Sequence, residues 1–551
     1  MRVPMPRRKQ ERIARAAADP VVAAAPPSGR RARVDDAAAL ALFLALAAAL
    51  NFSHSRVTDI DSLYHYRHAW VYATRGLWEA DFPWPQFSLI RTLAADLWYG
   101  LHVLMIPLTW LPDPVAAVKL GSFATTAIAL GLFYAAQRRL GAAWPLLGTL
   151  VFLFATADLL YRIMMLRPHP LSLGLTLLVF AEATAEPRAD DKARRVRLLV
   201  YGALIAWMHL AVAWLPLLVV GVVAVVRRVK RLSLDVYGIG AAVLGLAAGT
   251  LLRPHPFAAL RLAVIQVAYL SLQHQREVPL RFGRELTPFH YTELYKQLLG
   301  LLLLLAVALA GLFVLRARRV AVDVATWSSL VVWPVFFLLS FTMFRRANEV
   351  MVAFAVTFAG LVAAQFRRAA GGEKWLRAAL SSARGTAAAT AVAIALVLMP
   401  VKTLARLSLF LPNAFDPERF HAVGEWLRQN SAEGEIVFNA DWDRFGQLVF
   451  WNPHNYYIHG MDPIFLYAYD PGLYWKSAFL SLDRVTSFTC AQVKCSEAVG
   501  EDTHTVLKRD FHASYILVER GRNPALLSWL LKAPGFTLAF ETADEVLFRI
   551  T

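Results

Sequence analysis

Two aspartates at positions i and i+2, Asp59 and Asp61, open the polar stretch TDIDSLYHYRHAWVYATRGLWEADFPW just after the first long apolar run of this 551-residue chain. Carboxylates so spaced supply hard oxygen ligands for a divalent cation, or one of them serves as a general base. A solvated loop explains a bare D-x-D string equally well, so the neighbours carry the argument. His65 and Arg67 follow at once, with Tyr64 and Tyr66 between and beside them, and the stretch is rich in the Trp and Phe that suit a membrane interface. Further along, Arg167 and His169 stand together in LRPHP, His209 interrupts an apolar run, and Arg345 and Arg346 open FRRANE. Guanidinium groups present a planar fork to phosphate oxygens, so paired arginines at the end of an apolar run read as a phosphate site, with snorkelling toward lipid headgroups as the bland alternative. His209, a lone histidine, reads as structural on base expectation.

The elements that must position these groups are membrane helices. The chain is 57% hydrophobic with mean hydropathy +0.45, and its apolar residues cluster into runs near the roughly 20 residues a spanning helix needs. Candidate spans are 37–53, 114–136, 143–161, 168–185, 197–226, 236–252, 291–315, 325–344, 350–367 and 385–404. In lipid every backbone polar group must be satisfied internally, so these runs are expected as helices. The formal charge of +17 sits in short clusters between the runs, as in loops at a cytoplasmic face, and this excludes a nucleic-acid-binding surface. About 35 polar residues precede the first run, too many for a signal peptide's leading region; residues 1–36 are expected as a disordered basic cytoplasmic tail.

The positive-inside rule arbitrates the topology. It fits best if 197–226 is a helical hairpin and the shorter piece 97–112 is re-entrant or interfacial. That piece spans only about 24 Å at 1.5 Å per residue. The expectation is then a transmembrane domain over 37–410 with about 11 spans, external loops at 54–96 and 253–290, a cytoplasmic N-terminus, and an extracytoplasmic domain over 411–551, all at an inner membrane. The loop at 253–290 reads as a lid over a lipid-phosphate donor or as a plain interfacial helix. The distinctive polar residues then share the outer face. From about Leu411 mixed polarity and strand-like runs such as EIVFNA, SYILVE and EVLFRI predict an α/β domain. Cys490 and Cys495, the only cysteines, form a local disulfide or stay as two inert thiols; spacing does not choose.

The segment DSLYHYRHA, followed by Gly76 and DFPW, resembles the first external loop of GT-C membrane glycosyltransferases, most of all the oligosaccharyltransferase catalytic subunit family. In the tail, ERFHAVGEWLRQNSAEGEIVFNADWDRFGQLVFW resembles that family's helix-then-strand entry, with DWDRFG standing where WWDYG would. The resemblance implies a GT-C-like helical membrane protein with a soluble C-terminal domain. It would move a sugar from a polyprenyl-phosphate or polyprenyl-diphosphate donor to an unidentified glycan, lipid or protein acceptor. It assigns Asp61, with Asp59, to the catalytic base and to a divalent metal (Mg or Mn), and a late-span arginine, here Arg345 or Arg346, to the donor phosphate. Trp442 and Asp443 fall in the acceptor-reading segment, although DWDRFG departs from WWDYG. The second loop departs too, with Arg167 and His169 where the family carries acids. His65, Arg67, His169, His209 and the Tyr456–Tyr457 pair complete the expected substrate contacts, with Arg167 joining the phosphate set; a packed aromatic core explains the tyrosines as well. A protein oligosaccharyltransferase proper and a non-catalytic transporter or envelope-assembly protein are the rivals.

Overall fold

The computed structural model describes residues 30–188, 190–271, 280 and 283–551. Residues 1–29 of the expected tail, and 272–279 and 281–282 of the expected loop at 253–290, lie outside the described residues. Among the described residues, seven helices are long and apolar enough to cross a membrane: Arg33–Phe52, Pro114–Leu140, Leu210–Val229, Leu299–Ala317, Val324–Thr342, Arg345–Arg368 and Ala383–Phe410. Two pairs pass only jointly, Pro145–Phe154 with Ala157–Ile163, bent by 101°, and Val236–Leu251 with Pro256–Tyr269, bent by 109°. The chain is a multi-pass membrane protein with seven to nine such elements by this measure, against the roughly 11 that the apolar runs suggest. The difference lies in short helices. His169–Thr184 has 16 residues and Lys192–Met208 has 17, or about 24–26 Å of rise. The run at 197–226 does break at His209, into Lys192–Met208 and Trp214–Val229. The piece at 97–112 is a seven-residue helix, Tyr99–Met105, and a 3-10 turn, Ile106–Trp110.

Packing within the bundle follows from small residues and one buried arginine. A Cβ on Gly245 would lie 2.1 Å from the Leu199 carbonyl oxygen, and one on Gly249 would lie 2.0 Å from that of Ala203. Backbone-to-backbone contact of this kind needs glycine four residues apart on one helix face. At the second bend Pro254 and Pro256 cannot continue the amide ladder, and His255 between them takes φ +47°. Arg253, at this bend, is buried and reaches neighbouring segments, donating to the carbonyls of Asp96 at 2.9 Å, Trp207 at 3.1 Å and Ala206, the last two at the end of the Lys192–Met208 helix.

The C-terminal region carries a five-stranded sheet in the order β2-β1-β5-β7-β6, from β1 Ile436–Asn439, β2 Tyr456–Tyr457, β5 Ala513–Glu519, β6 Phe536–Glu541 and β7 Glu545–Ile550. Strands β1, β2 and β5 run parallel, and β7 is antiparallel to β5 and β6. A separate pair, β3 Phe488–Thr489 and β4 Glu501–Asp502, lies nearby, and Cys490 is disulfide-bonded to Cys495. Period-two alternation buries both sheet faces. Val437, Leu517 and Leu547 join the core continuous with the helical bundle, while Phe438, Ile516, Val546 and Phe548 form a second core on the far face.

Two backbone ladders fasten the sheet region to the bundle. Residues 84–87 lie along the β2 edge: Tyr457 N–H donates to the Trp84 carbonyl at 2.8 Å, and Gln86 and Phe87 N–H donate to Tyr457 and Ile458 carbonyls at 2.8 and 2.9 Å. Val57 and Phe415 form an antiparallel bridge. These contacts fix the ends of the loop that carries Asp59, Asp61 and His65.

Candidate active site

Asp61 begins a helix, Asp61–Arg75, that ends at Gly76, whose φ of +110° suits glycine. Asp61 and His65 stand four residues apart, hence on one face, and both line a cavity with about 1460 Å³ of empty space counted to its open mouth. Arg162, Arg167, His169, His209, Gln266, Arg346 and Glu349 supply polar groups to the same cavity, and Met461 and Asp462 reach it from the sheet region. Its walls are apolar: Leu173, Leu215, Phe336, Leu339 and Val350 come from four separate helices. Met461 holds φ +63°, a left-handed backbone conformation that costs energy without glycine. A second cavity, about 940 Å³, is lined by Lys296, Lys402 and Arg406 among apolar residues of Leu299–Ala317 and Ala383–Phe410.

The charges of the first cavity are cross-linked. Arg167 donates to both carboxylate oxygens of Asp59, Nε at 2.6 Å and Nη2 at 2.5 Å, and its Nη2 also lies 2.7 Å from Asp61 Oδ2. Glu285 is shared by three guanidinium groups: Arg346 donates to it, Arg162 lies 3.4 Å away and Arg167 3.7 Å. These cations hold Glu285 below the usual carboxylate range in spite of its burial. Arg162 also donates to Glu349. The Asp61 side chain keeps 29% exposure to the cavity. Burial raises its pKa, Arg167 opposes this, and Asp59, Asp462 and Glu285 raise it again, to about 7.

A second polar cluster lies behind His65. Asp96, buried, accepts from the Trp98 amide at 2.8 Å, from Tyr72 Oη at 3.0 Å and from His102 Nδ1 at 2.6 Å. His102 Nε2 meets His65 Nδ1 at 2.7 Å. His68 stacks on His102, with centroids 4.3 Å apart and planes at 20°, and its Nδ1 lies 2.9 Å from Tyr64 Oη. His102 and His68 hold Asp96 below the ordinary carboxylate range against the opposing effect of burial.

No known family profile matches the sequence, and no curated protein resembles it in sequence. Comparison of structures does find likenesses. The archaeal oligosaccharyltransferase AglB from Archaeoglobus fulgidus, solved with an inhibitory peptide and a dolichol-phosphate, superposes with TM-score 0.58 at 12% identity, over 89% of this chain and 70% of that one. ArnT from Cupriavidus metallidurans matches with TM-score 0.51 at 15% identity, over 93% of this chain and 98% of that one in its apo state. The same protein bound to undecaprenyl phosphate matches over 92% of this chain and 97% of that one, again with TM-score 0.51 and 15% identity. The chain has the GT-C fold. Its helical bundle and C-terminal sheet region are thus one known architecture.

Within this GT-C fold the expected site residues divide. Asp61, His65, Arg167, His169, His209 and Arg346 meet in one cavity, with Asp59 one step behind, tied to Arg167. The others do not meet there. Arg345 does not line the cavity; its guanidinium lies 3.5 Å from Asp158 and over the Phe289 ring, because successive residues of the 3-10 turn Arg345–Ala347 point apart. Arg67 donates to the Phe450 carbonyl, so it fastens the sheet region to the Asp61 helix. Trp442 and Asp443 occupy a 3-10 turn away from the cavity, where Asp443 pairs with Arg522 at 2.8 and 3.1 Å. Tyr456 lies on β2, and Tyr457 is buried with its hydroxyl donating to the Asn452 carbonyl at 2.9 Å. The part of DWDRFG that does touch the site region is Gly446, where a Cβ would lie 2.5 Å from the Ile60 carbonyl, next to Asp61.

A divalent metal between Asp59 and Asp61 does not fit these residues. Both Asp59 oxygens and one of Asp61 already face Arg167 within 2.7 Å, and a second cation there would meet the guanidinium charge. Among the described residues, the one group with three ligand-type atoms within 4.8 Å is His68, Asp96 and His102. A metal takes an imidazole lone pair in the ring plane, and two stacked, nearly parallel rings cannot both aim theirs at one ion. As arranged, that group is a hydrogen-bonded cluster. Arg162, Glu285, Glu349, Gln266, Asp462, Asp96 and His102 were not legible as site residues. Arg162 had a usable signal, an arginine inside an apolar stretch. The others are brought in from distant segments without a local pattern.

Proposed function

We propose that this protein is a glycosyltransferase moving a sugar from a polyprenyl-phosphate or polyprenyl-diphosphate donor to an acceptor on the extracytoplasmic side of an inner membrane. One observation carries the reading: a single apolar-walled cavity sets the Arg162–Arg167–Arg346 guanidinium cluster against the Asp61 carboxylate and His65. Apolar walls suit the first units of a polyprenyl chain, and guanidinium forks suit its phosphate. The ArnT comparison, with undecaprenyl phosphate bound, and the AglB comparison, with a dolichol-phosphate, support the same class of ligand.

On this reading the donor phosphate enters the guanidinium cluster that Glu285 now occupies, and the sugar's anomeric carbon faces Asp61. Asp61 accepts a hydrogen bond from the acceptor hydroxyl and orients its oxygen for attack opposite the phosphate, so the configuration inverts. The carbon–phosphate oxygen bond breaks with its electron pair on the phosphate, where Arg346 and Arg162 stabilise the growing charge; removing one such donor elsewhere costs on the order of a hundredfold or more in rate. Arg167 supplies a fixed cation that holds Asp59 and Asp61, and no step needs a metal. Met461 and Asp462 form the acceptor-side wall. The extracytoplasmic placement rests on the charge distribution of the loops.

The test is transfer of labelled sugar from polyprenyl-phosphate donors by the purified protein. Wild type is expected to transfer, and Asp61→Asn, folded and still binding polyprenyl phosphate, is expected to lose about a hundredfold or more. Full activity in Asp61→Asn would remove this carboxylate from the mechanism.

A further inference from the structure

An acceptor hydroxyl that attacks a sugar must lose its proton, and Asp61, tied to Arg167, orients that hydroxyl without being the only group able to receive it. Behind the cavity wall a chain of hydrogen bonds runs from Asp96 through His102 to His65. The three groups come from different segments: a loop, the Tyr99–Met105 helix and the Asp61–Arg75 helix. All three are buried, and of these only His65 lines the cavity.

The protonation pattern follows from donors and acceptors. Every contact made to Asp96 comes from a donor: an amide, a phenol and an imidazole nitrogen. Asp96 is therefore a carboxylate, and His102 carries its proton on Nδ1. Neutral His102 then offers a lone pair at Nε2, and His65, 2.7 Å away, must donate from its own Nδ1. The remaining nitrogen, His65 Nε2, bears a lone pair and makes no hydrogen bond among the described residues. One buried carboxylate thus sets the tautomers of two histidines in series, leaving the base end toward the cavity.

We propose that His65 receives the acceptor's proton, with His102 and Asp96 as positioning residues that fix its tautomer and stabilise the imidazolium. The inference rests on the glycosyl-transfer reading and deepens it. In the step, the acceptor oxygen forms its bond to the anomeric carbon while its O–H bond breaks and the proton moves to His65 Nε2. The bond from carbon to the phosphate oxygen breaks and its electron pair leaves with the polyprenyl phosphate. The positive charge on His65 is balanced through His102 by the Asp96 carboxylate, and the proton leaves to water once the product departs. The charged and titratable groups around His65 are Asp61 and Tyr64 on its own helix, His68 one turn on, His102 and Asp96 behind it, and Arg167 across the cavity.

The experiment uses the full-length protein in nanodiscs with a polyprenyl-phosphate sugar donor. His65→Ala is expected to lose about a hundredfold in turnover with the donor KM within about threefold of wild type. Added imidazoles should restore turnover, with a rate that rises with the basicity of the imidazole, a response that a merely structural histidine would not give. Binding of polyprenyl phosphate reports that the variant is folded. If it is not, Asp96→Asn replaces it, and the expected result is a displaced rate–pH profile at unchanged donor KM. Turnover by His65→Ala within about threefold of wild type, a loss that no imidazole rescues, or a wild-type profile in Asp96→Asn overturns the proposal. A wild-type protein that binds polyprenyl phosphate and transfers no sugar overturns the glycosyl-transfer reading instead, so the two failures are distinct.

Discussion

Two carboxylate sites meet at the Asp61–Arg75 helix, and each is opposed by a different kind of group. Asp59 and Asp61 face the guanidinium of Arg167. Asp96 faces the imidazole of His102. A guanidinium keeps its charge at any working pH, so the first pair is a fixed electrostatic frame. An imidazole has two ring nitrogens and can take a proton on one while giving one from the other, so the second can relay one. Neighbouring carboxylates of the same residue type thus support different chemistry because of what opposes them.

The largest expected effect comes from breaking the fixed frame. Arg167→Gln leaves Asp59 and Asp61 facing each other without their shared cation, and transfer should fall by about a hundredfold to a thousandfold, more steeply as pH falls because the cation that opposes Asp61 protonation is gone; transfer within about threefold of wild type would remove Arg167 from the frame. Next comes the response to pH. The Asp61 pKa is raised to about 7, so its carboxylate is progressively protonated as pH falls through the neutral range. Wild-type transfer should therefore decline below about pH 7, roughly tenfold per unit once well below it, and a flat profile from pH 5 to 8 would contradict this. A smaller effect is expected at Glu285, which occupies the guanidinium cluster. Glu285→Gln should tighten polyprenyl-phosphate binding several-fold, about 1 kcal/mol, measured by titration; weaker binding would mean that Glu285 supports the phosphate site.

A further acid, in the sheet region, extends the contrast. Asp441 in the sheet region is buried, its Oδ2 has no hydrogen-bond partner among the described residues, and its nearest guanidinium, on Arg522, is 3.5 Å away. Burial pushes its pKa up to about 6, with Arg522 opposing and Asp443 and Glu519 adding. The folded state therefore holds this proton more tightly than the unfolded chain. The destabilisation is absent below about pH 4 and complete above about pH 6, with an upper bound of about 3 kcal/mol for a shift of about two units. Asp441→Asn should raise thermal stability at pH 7.5 and leave it unchanged at pH 4. The smallest expected change is with chelator: EDTA should alter wild-type transfer by less than about twofold, since Arg167 stands where a cation between Asp59 and Asp61 would sit.

Much of the fold was legible because lipid leaves the backbone few options: apolar runs had to be helices, and the alternating strands after Leu411 had to bury two faces. The span count was less legible, since helices such as His169–Thr184 lie in apolar runs but stop short. In the site, Asp61 and His65 were legible by residue type in one polar stretch, although that stretch, read as a loop, forms the Asp61–Arg75 helix and puts them on one face. Arg345 and Arg346 could not be told apart, because a 3-10 turn rather than sequence decides which one points inward. Asp96 and His102 were invisible: the bonds that give them meaning run from loop to helix to helix, and no spacing encodes them. DWDRFG resembled an acceptor-reading segment by position, while the sheet region's contact with the cavity comes instead from Met461 and Asp462.

The cavity between Arg346 and Asp61 is where the donor phosphate is expected to sit. A cryo-electron microscopy structure of the protein in nanodiscs with polyprenyl phosphate tests it most directly. Phosphate oxygens are expected within about 3 Å of guanidinium nitrogens of Arg346 and Arg162, with the first isoprene units along Phe336 and Leu339. Phosphate seated instead between Lys402 and Arg406 in the second cavity would contradict it.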